Sequence, residues 1–186
     1  MSRRAAVVPM LACAALLASC GTYTDQTGPL VVGPASGEPE NTICSAIEPE
    51  MLRPGFAETI YNETNHPAEI LSIDLAEPRN LEVTGTGAWK LDDGILLHYM
   101  WSDAEAARDR DTAKFVANLS PAEGFVLNPG DGAGVAVTAE VLDASQPAGA
   151  HQLRVRYRSN GREYAEVTNV SYKLEPDGCD YMMDEP

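Results

Sequence analysis

From Phe56 to Leu174 the chain alternates apolar and polar residues in short runs, each closed by turn-forming residues. Period-two alternation is the mark of strands with one face in a core. Residues 57–61 form the first run, ended by the polar stretch 62–67. Residues 70–75 set Leu71, Ile73 and Leu75 against Ser72 and Asp74, and residues 81–84 alternate Leu81 and Val83 with Glu82 and Thr84. After Asp92-Asp93-Gly94, residues 95–101 place Ile95, Leu97, Tyr99 and Trp101 on one face and Leu96, His98 and Met100 on the other. Two largely apolar faces predict a central strand covered on both sides. Residues 125–127 make a short strand before the turn Asn128-Pro129-Gly130-Asp131-Gly132, and residues 134–142 alternate again through Val135, Val137 and Val141.

The last pair of strands can be assigned a register. Residues 151–158 point Leu153, Val155 and Tyr157 one way and Arg154, Arg156 and Arg158 the other; Ser159-Asn160-Gly161 then turns the chain into residues 162–174. A two-residue Asn-Gly turn would pair Arg154 with Val167 and Arg156 with Ala165, mixing the faces. A three-residue loop pairs Leu153 with Val167 and sets Arg154 opposite Glu166 on the solvent side. Register follows the hydrophobic pattern, so the three-residue loop is expected, with Gly161 left-handed. The apolar phase slips between Ala165/Val167 and Val170/Tyr172/Leu174, which predicts a β-bulge near Thr168-Asn169. Ser102-Asp103-Ala104-Glu105 has the spacing of a capping box and predicts a short helix reaching about Lys114.

About seven short strands with one helical insertion predict an all-β fold, a β-sandwich over residues 43–181. Their order resembles an immunoglobulin-like domain of the kind common on bacterial surfaces. The Cys…Trp…Cys signature of antibody domains is absent, so the resemblance concerns architecture and carries no function.

The N-terminus changes the picture most. Arg3 and Arg4 precede an apolar run over residues 5–18, shorter than the roughly 20 residues that span a bilayer. Leu17-Ala18-Ser19-Cys20 ends it and resembles the lipobox of bacterial lipoproteins. The resemblance implies a signal peptide over residues 1–19, cleavage before Cys20, and lipid on the new N-terminal cysteine. A doubly or triply acylated cysteine anchors stably, so the expected place is the bacterial cell envelope, tethered to the membrane on its extracytoplasmic side. Residues 20–42, with Gly28-Pro29, Gly33-Pro34 and Pro39, read as a flexible tether, and residues 182–186 as a C-terminal tail.

The chain of 186 residues carries a formal net charge of −15, which becomes −17 once Arg3 and Arg4 leave with the leader. Such a surface repels nucleic acid and leaves solubility or a cationic partner as its uses. Of four cysteines, Cys13 leaves with the leader and Cys20 takes lipid. Cys44 and Cys179 remain, in a compartment that favours disulfides. They are expected to pair and to clasp the two ends of the domain.

Chemistry is sparse. His98 and Met100 share a strand face about 7 Å apart, an imidazole–thioether pair of the kind copper(I) takes; copper or other metal handling is the alternative reading, against a structural strand. The run from Asn128 to Gly132 has too few oxygens for calcium. No nucleophile elbow, zinc-protease helix or phosphate loop occurs, so no cofactor and no enzymatic activity are expected. Arg154, Arg156, Arg158 and Arg162 are the one concentrated basic feature, able to grip an acidic protein or an anionic envelope polymer. The function expected is that of a non-enzymatic envelope binding or accessory module.

Overall fold

The alternating runs fold into antiparallel strands whose inward residues meet in one main core. The computed structural model describes residues 28–32, 41–91 and 99–179. In chain order these form β1 (Leu30–Val32), β2 (Asn41–Ala46), a 3-10 turn (Pro49–Leu52), β3 (Pro54–Asn62), β4 (Ala68–Ala76), β5 (Leu81–Lys90), β6 (Tyr99–Ser102), α1 (Asp103–Arg108), α2 (Arg110–Ala117), β7 (Ser120–Pro121), β8 (Val126–Leu127), β9 (Gly132–Val141), β10 (Ala148–Ala150), β11 (Gln152–Ser159), β12 (Arg162–Val167) and β13 (Val170–Glu175).

One layer is a six-stranded sheet in the order β1-β3-β9-β5-β7, with β6 also on β3. Facing it are β12-β11-β4-β8 and β10-β13-β2. Phe56 and Ile60 of β3, Val135 and Val137 of β9, Ile70 and Ile73 of β4, Val155 and Tyr157 of β11, and Tyr172 and Leu174 of β13 all belong to one buried cluster. The all-β, immunoglobulin-like sandwich expected from the alternation is therefore the fold. The strands outnumber the expected seven because several, such as β1, β7 and β10, are only two or three residues long, too short to show periodicity.

The first layer also has a covered outer face. Trp101, Phe115, Ala57 and Ala136 form a second cluster there, with Phe115 of α2 edge-on to Trp101 at 5.0 Å and to Trp89 at 4.2 Å. Capping starts the helices: Ser102 Oγ accepts from the Glu105 N–H, as the capping-box spacing predicts, and Asp109 accepts from the Thr112 N–H at 2.7 Å. The Glu105 carboxylate does not complete the box; it accepts from the Tyr99 hydroxyl. Burial, and then that carboxylate, push the Tyr99 phenol up to about 12.

Four local expectations are corrected. First, the tether reading of residues 20–42 fails at both described stretches, because Leu30–Val32 pairs with Ile60 to Asn62 of β3 and Asn41 opens β2. Three residues are too few for periodicity to announce a strand. Second, the β11–β12 hairpin has a two-residue turn. Arg154 pairs with Val167, Arg156 with Ala165 and Ser159 with Arg162; Asn160 (φ 49°) and Gly161 (φ 71°) are both left-handed. That is the type I′ turn whose twist matches the flanking strands. Third, the phase slip at Thr168-Asn169 is not a bulge. The chain leaves β11 there and joins β10 and β2 in another sheet, while Thr168 stays bonded to Leu153 through its N–H and Oγ1. Fourth, a bulge does occur in β4, where Ser72 pairs with Arg156 and Ile70 with Tyr157. It leaves Leu71 half-exposed and turns Ile70, rather than Leu71, into the core.

The expected disulfide is present. Cys44 of β2 and Cys179 are joined across a sequence separation of 135 residues. β2 lies parallel to β13, with Lys173 opposite Cys44, so the bond ties the edge strand to the chain just beyond β13.

Candidate functional site

The arginine stripe divides. Arg154, Arg156 and Arg158 lie on the outer face of β11, whereas Arg162, paired with the buried Ser159, takes the opposite side of β12. On the outer face Arg158 reaches Glu163 at 2.8 Å and Glu69 at 3.5 Å, and Arg156 lies 4.0 Å from Glu163. Arg154 is opposite Asp74 of β4. Carboxylates on both neighbouring strands thus offset the row, and cross-strand pairs of this kind support a solvated sheet face. The expected partner of Arg154, Glu166, turns inward instead.

That inward turn has a structural role. Glu166 is paired with Val155; its carboxylate accepts from the Gly28 N–H, and the Tyr157 hydroxyl lies 3.4 Å away. Tyr157 in turn accepts from the Leu30 N–H at 3.0 Å and stacks on Tyr164. The N-terminal segment is thereby stitched across the open side between β3 and β12. Burial holds the Glu166 carboxyl above its ordinary range, against the opposing pull of the Gly28 N–H and the Tyr157 hydroxyl.

A different face is concave. On the outer side of β10-β13-β2 lies a cavity of about 250 Å³, continuous in its lining with a hollow of about 860 Å³. Pro147, Lys173 and Glu175 border both. Its floor is built from β10, whose sequence Ala-Gly-Ala supplies almost no side chain. Gly149 pairs with Lys173 on one side and with Arg79 on the other, through hydrogen bonds of 2.8 and 3.0 Å. A Cβ at Gly149 would meet the Tyr172 carbonyl oxygen at 2.2 Å, so only glycine lets the strands close here.

Opposed residues share a face of the sheet. One row across the floor therefore reads Arg79, Gly149, Lys173, Cys44. One step along lie His151 and Ser171, in contact at 3.3 Å, with Glu77 beside them. One step the other way lies Glu175, next to Pro147. The contact joins Ser171 Oγ to His151 Nδ1. Beneath the floor, Tyr172 faces the main core, 4.8 Å from Phe56, with its hydroxyl donating to Glu58. Burial and then the Glu58 charge raise its phenol well above the ordinary value.

The remaining expectations sort by position. Cys20 and the lipobox lie outside the described residues, as does His98. Met100 pairs with Phe56 on β6 and packs, half-buried, against the main core. Among the described residues no three His, Cys, Asp or Glu side chains gather as metal ligands would. The turn at 128–132 behaves as a turn: Asp131 accepts from the Asn128 N–H and pairs with Lys90 at 2.9 Å. Sequence reasoning missed the row Arg79, Gly149, Lys173 because its members come from three separate segments. The one local hint is the Ala-Gly-Ala run, too short to read as a strand.

No family model matches this chain, and no curated protein matches it. Solved structures that resemble it distantly include the following two. A Vibrio cholerae protease, VesB, matches with a TM-score of 0.41 and 9% identity over 79% of this chain. This chain spans 32% of the length of that protease. The ASH/PapD-like domain 7 of human CEP192 matches with a TM-score of 0.38 and 10% identity over 94% of this chain and 95% of that one.

Proposed function

We propose that this chain is a bacterial envelope lipoprotein. Cys20 carries lipid, and the sandwich serves without catalysis as a binding or accessory module on the extracytoplasmic side. The lipobox-like Leu17-Ala18-Ser19-Cys20 supports the anchor, and the Cys44–Cys179 disulfide fits an oxidising compartment. The observation that carries the binding role is the concave, charge-lined outer face of β10-β13-β2. β1 adds a geometric consequence: Gly28 is bonded to Glu166, so Cys20 is separated from the folded domain by at most about 28 Å of extended chain. The domain works close to the membrane that carries it.

In-cell photocrosslinking tests this reading. A photoreactive residue replaces Ser145, at the rim of the larger hollow, and wild type is compared with Cys20→Ala and with Arg79→Glu. A discrete envelope partner, lost in both variants, is expected. Capture unaffected by either change would sink the reading.

A further inference from the structure

Two cations and two carboxylates border the same cavity, Arg79 and Lys173 with Glu77 and Glu175. Among the described residues, neither cation has a carboxylate at ion-pairing distance. Lys90, Arg108, Arg156 and Arg158 each find an acid, while among the described residues Arg53, Arg110, Lys114, Arg154 and Arg162 have none at that distance either. The two cavity cations flank Gly149, Lys173 from β13 and Arg79 from an isolated bridge in the connection after β4. Strands lie about 4.8 Å apart, so the two Cα atoms stand roughly 10 Å from one another across a floor with no side chain between them. That gap admits one oxyanion group between a guanidinium and an ammonium.

The carboxylates set what else the ligand must carry. Glu175 is two residues from Lys173 on β13, about 7 Å along the strand on the same face. Glu77 precedes Arg79 by two residues in the turn after β4, where its backbone is left-handed (φ 50°), and borders the same cavity. A multiply charged anion such as phosphate would meet both acids and the excess negative charge of the domain. A ligand with a carboxylate at one end and an ammonium at the other meets complementary charge at both. Two extended residues span about 7 Å, which matches the step along β13 from the cationic row to Glu175. The volume of about 250 Å³ is that of a small ligand and not of a long polymer.

We propose that this cavity binds zwitterionic, peptide-like ligands, with the carboxylate held between Arg79 and Lys173 and the ammonium facing Glu175 or Glu77. The Ser171 hydroxyl and His151, one row along, supply hydrogen bonds to the connecting amide. This rests on reading the concave face as the ligand-binding face, and it names the ligand class of that face.

The probe is the dipeptide alanyl-alanine, titrated into the full mature chain in detergent and followed by calorimetry. The controls are the N-acetylated, the C-amidated and the doubly capped dipeptides. Saturable binding is expected, weakened about tenfold by either single cap and by Arg79→Gln or Lys173→Gln, in line with loss of one charge-assisted hydrogen bond. Glu175→Gln with Glu77→Gln should remove the discrimination against the N-acetylated probe while leaving that against the amide. Thermal melts of each variant report folding separately, since all four side chains line a surface cavity. Equal affinity for the doubly capped dipeptide overturns the proposal, as does no saturable binding in the millimolar range. If the dipeptide fails while crosslinking from Ser145 still captures an envelope partner, the ligand class is wrong and the binding face stands. If both fail, the reading of the face fails with it.

Discussion

Replacing Cys44 and Cys179 together by serine removes a bond that closes 135 residues of chain. A cross-link acts mainly on the unfolded chain, whose loop-closure entropy it removes. For a loop of this length the chain-entropy relation gives about 5 kcal/mol at room temperature, and engineered or residual-structure effects commonly reduce it to about 2–4 kcal/mol. Almost the whole domain from β2 to β13 lies inside the loop, so no other single covalent change in the fold should cost as much. With a urea m-value of about 2 kcal/mol/M for a domain this size, the midpoint should fall by about 1–2 M. Equilibrium urea unfolding of the oxidised mature chain, the reduced chain and the double serine variant measures it. Reduced and double-variant chains should coincide, because both lack the same constraint. A double variant whose midpoint equals that of the oxidised protein would refute the argument. A large drop on reduction but none in the variant would show that strain, rather than loop entropy, set the difference.

Four further outcomes rest on the packing and charges. Phe115→Ala empties the contact of α2 with Trp89 and Trp101 and should cost about 3 kcal/mol, seen as a lower urea midpoint together with a changed near-ultraviolet aromatic signal. Gly149→Ala sets a methyl against the Tyr172 carbonyl; it should lower the melting temperature and abolish dipeptide binding, and an unchanged melt would contradict the closeness of β10 and β13. Glu166 titrates above the ordinary 4.5 because it is buried, so its contribution to stability is fully present below about pH 4.5 and is lost as pH rises through its folded value. Glu166→Gln should therefore raise the midpoint at neutral pH and flatten its decline above about pH 4.5. Asp131 runs the other way: Lys90 and Asn128 hold its carboxyl below 3.8, and that support is lost as pH falls through the lowered value.

The division between what the chain reveals locally and what it does not is physical. Strands β4 and β11 were legible because each runs eight or more residues with one face mostly buried, and β3 and β9, buried on both faces over most of their length, because they are at least as long. The capped start of α1 was legible because Ser102 and Glu105 lie within one turn. The register of β12 was not. Its inward residues, Tyr164 and Glu166, are satisfied by Tyr157 and by Gly28, and Gly28 lies 138 residues from Glu166. A polar residue facing inward looks like an error of phase until the distant N–H that it accepts from is known. The same non-locality hid the concave face. Arg79 sits in a connection, Gly149 in a three-residue strand and Lys173 among outward residues of β13. Only their pairing makes a row of them. The arginines of β11, conspicuous in the sequence, are by contrast offset by Glu69 and Glu163 on the flanking strands.

Compartment, leash length and partner all depend on the proposed lipid anchor at Cys20. Mass spectrometry of the N-terminal peptide, from protein extracted from the membrane fraction, tests it directly. A chain beginning at Cys20 with at least two acyl chains on that residue is expected, together with release of Cys20→Ala from the membrane fraction. An unmodified Cys20, or a chain still beginning at Met1, would contradict it.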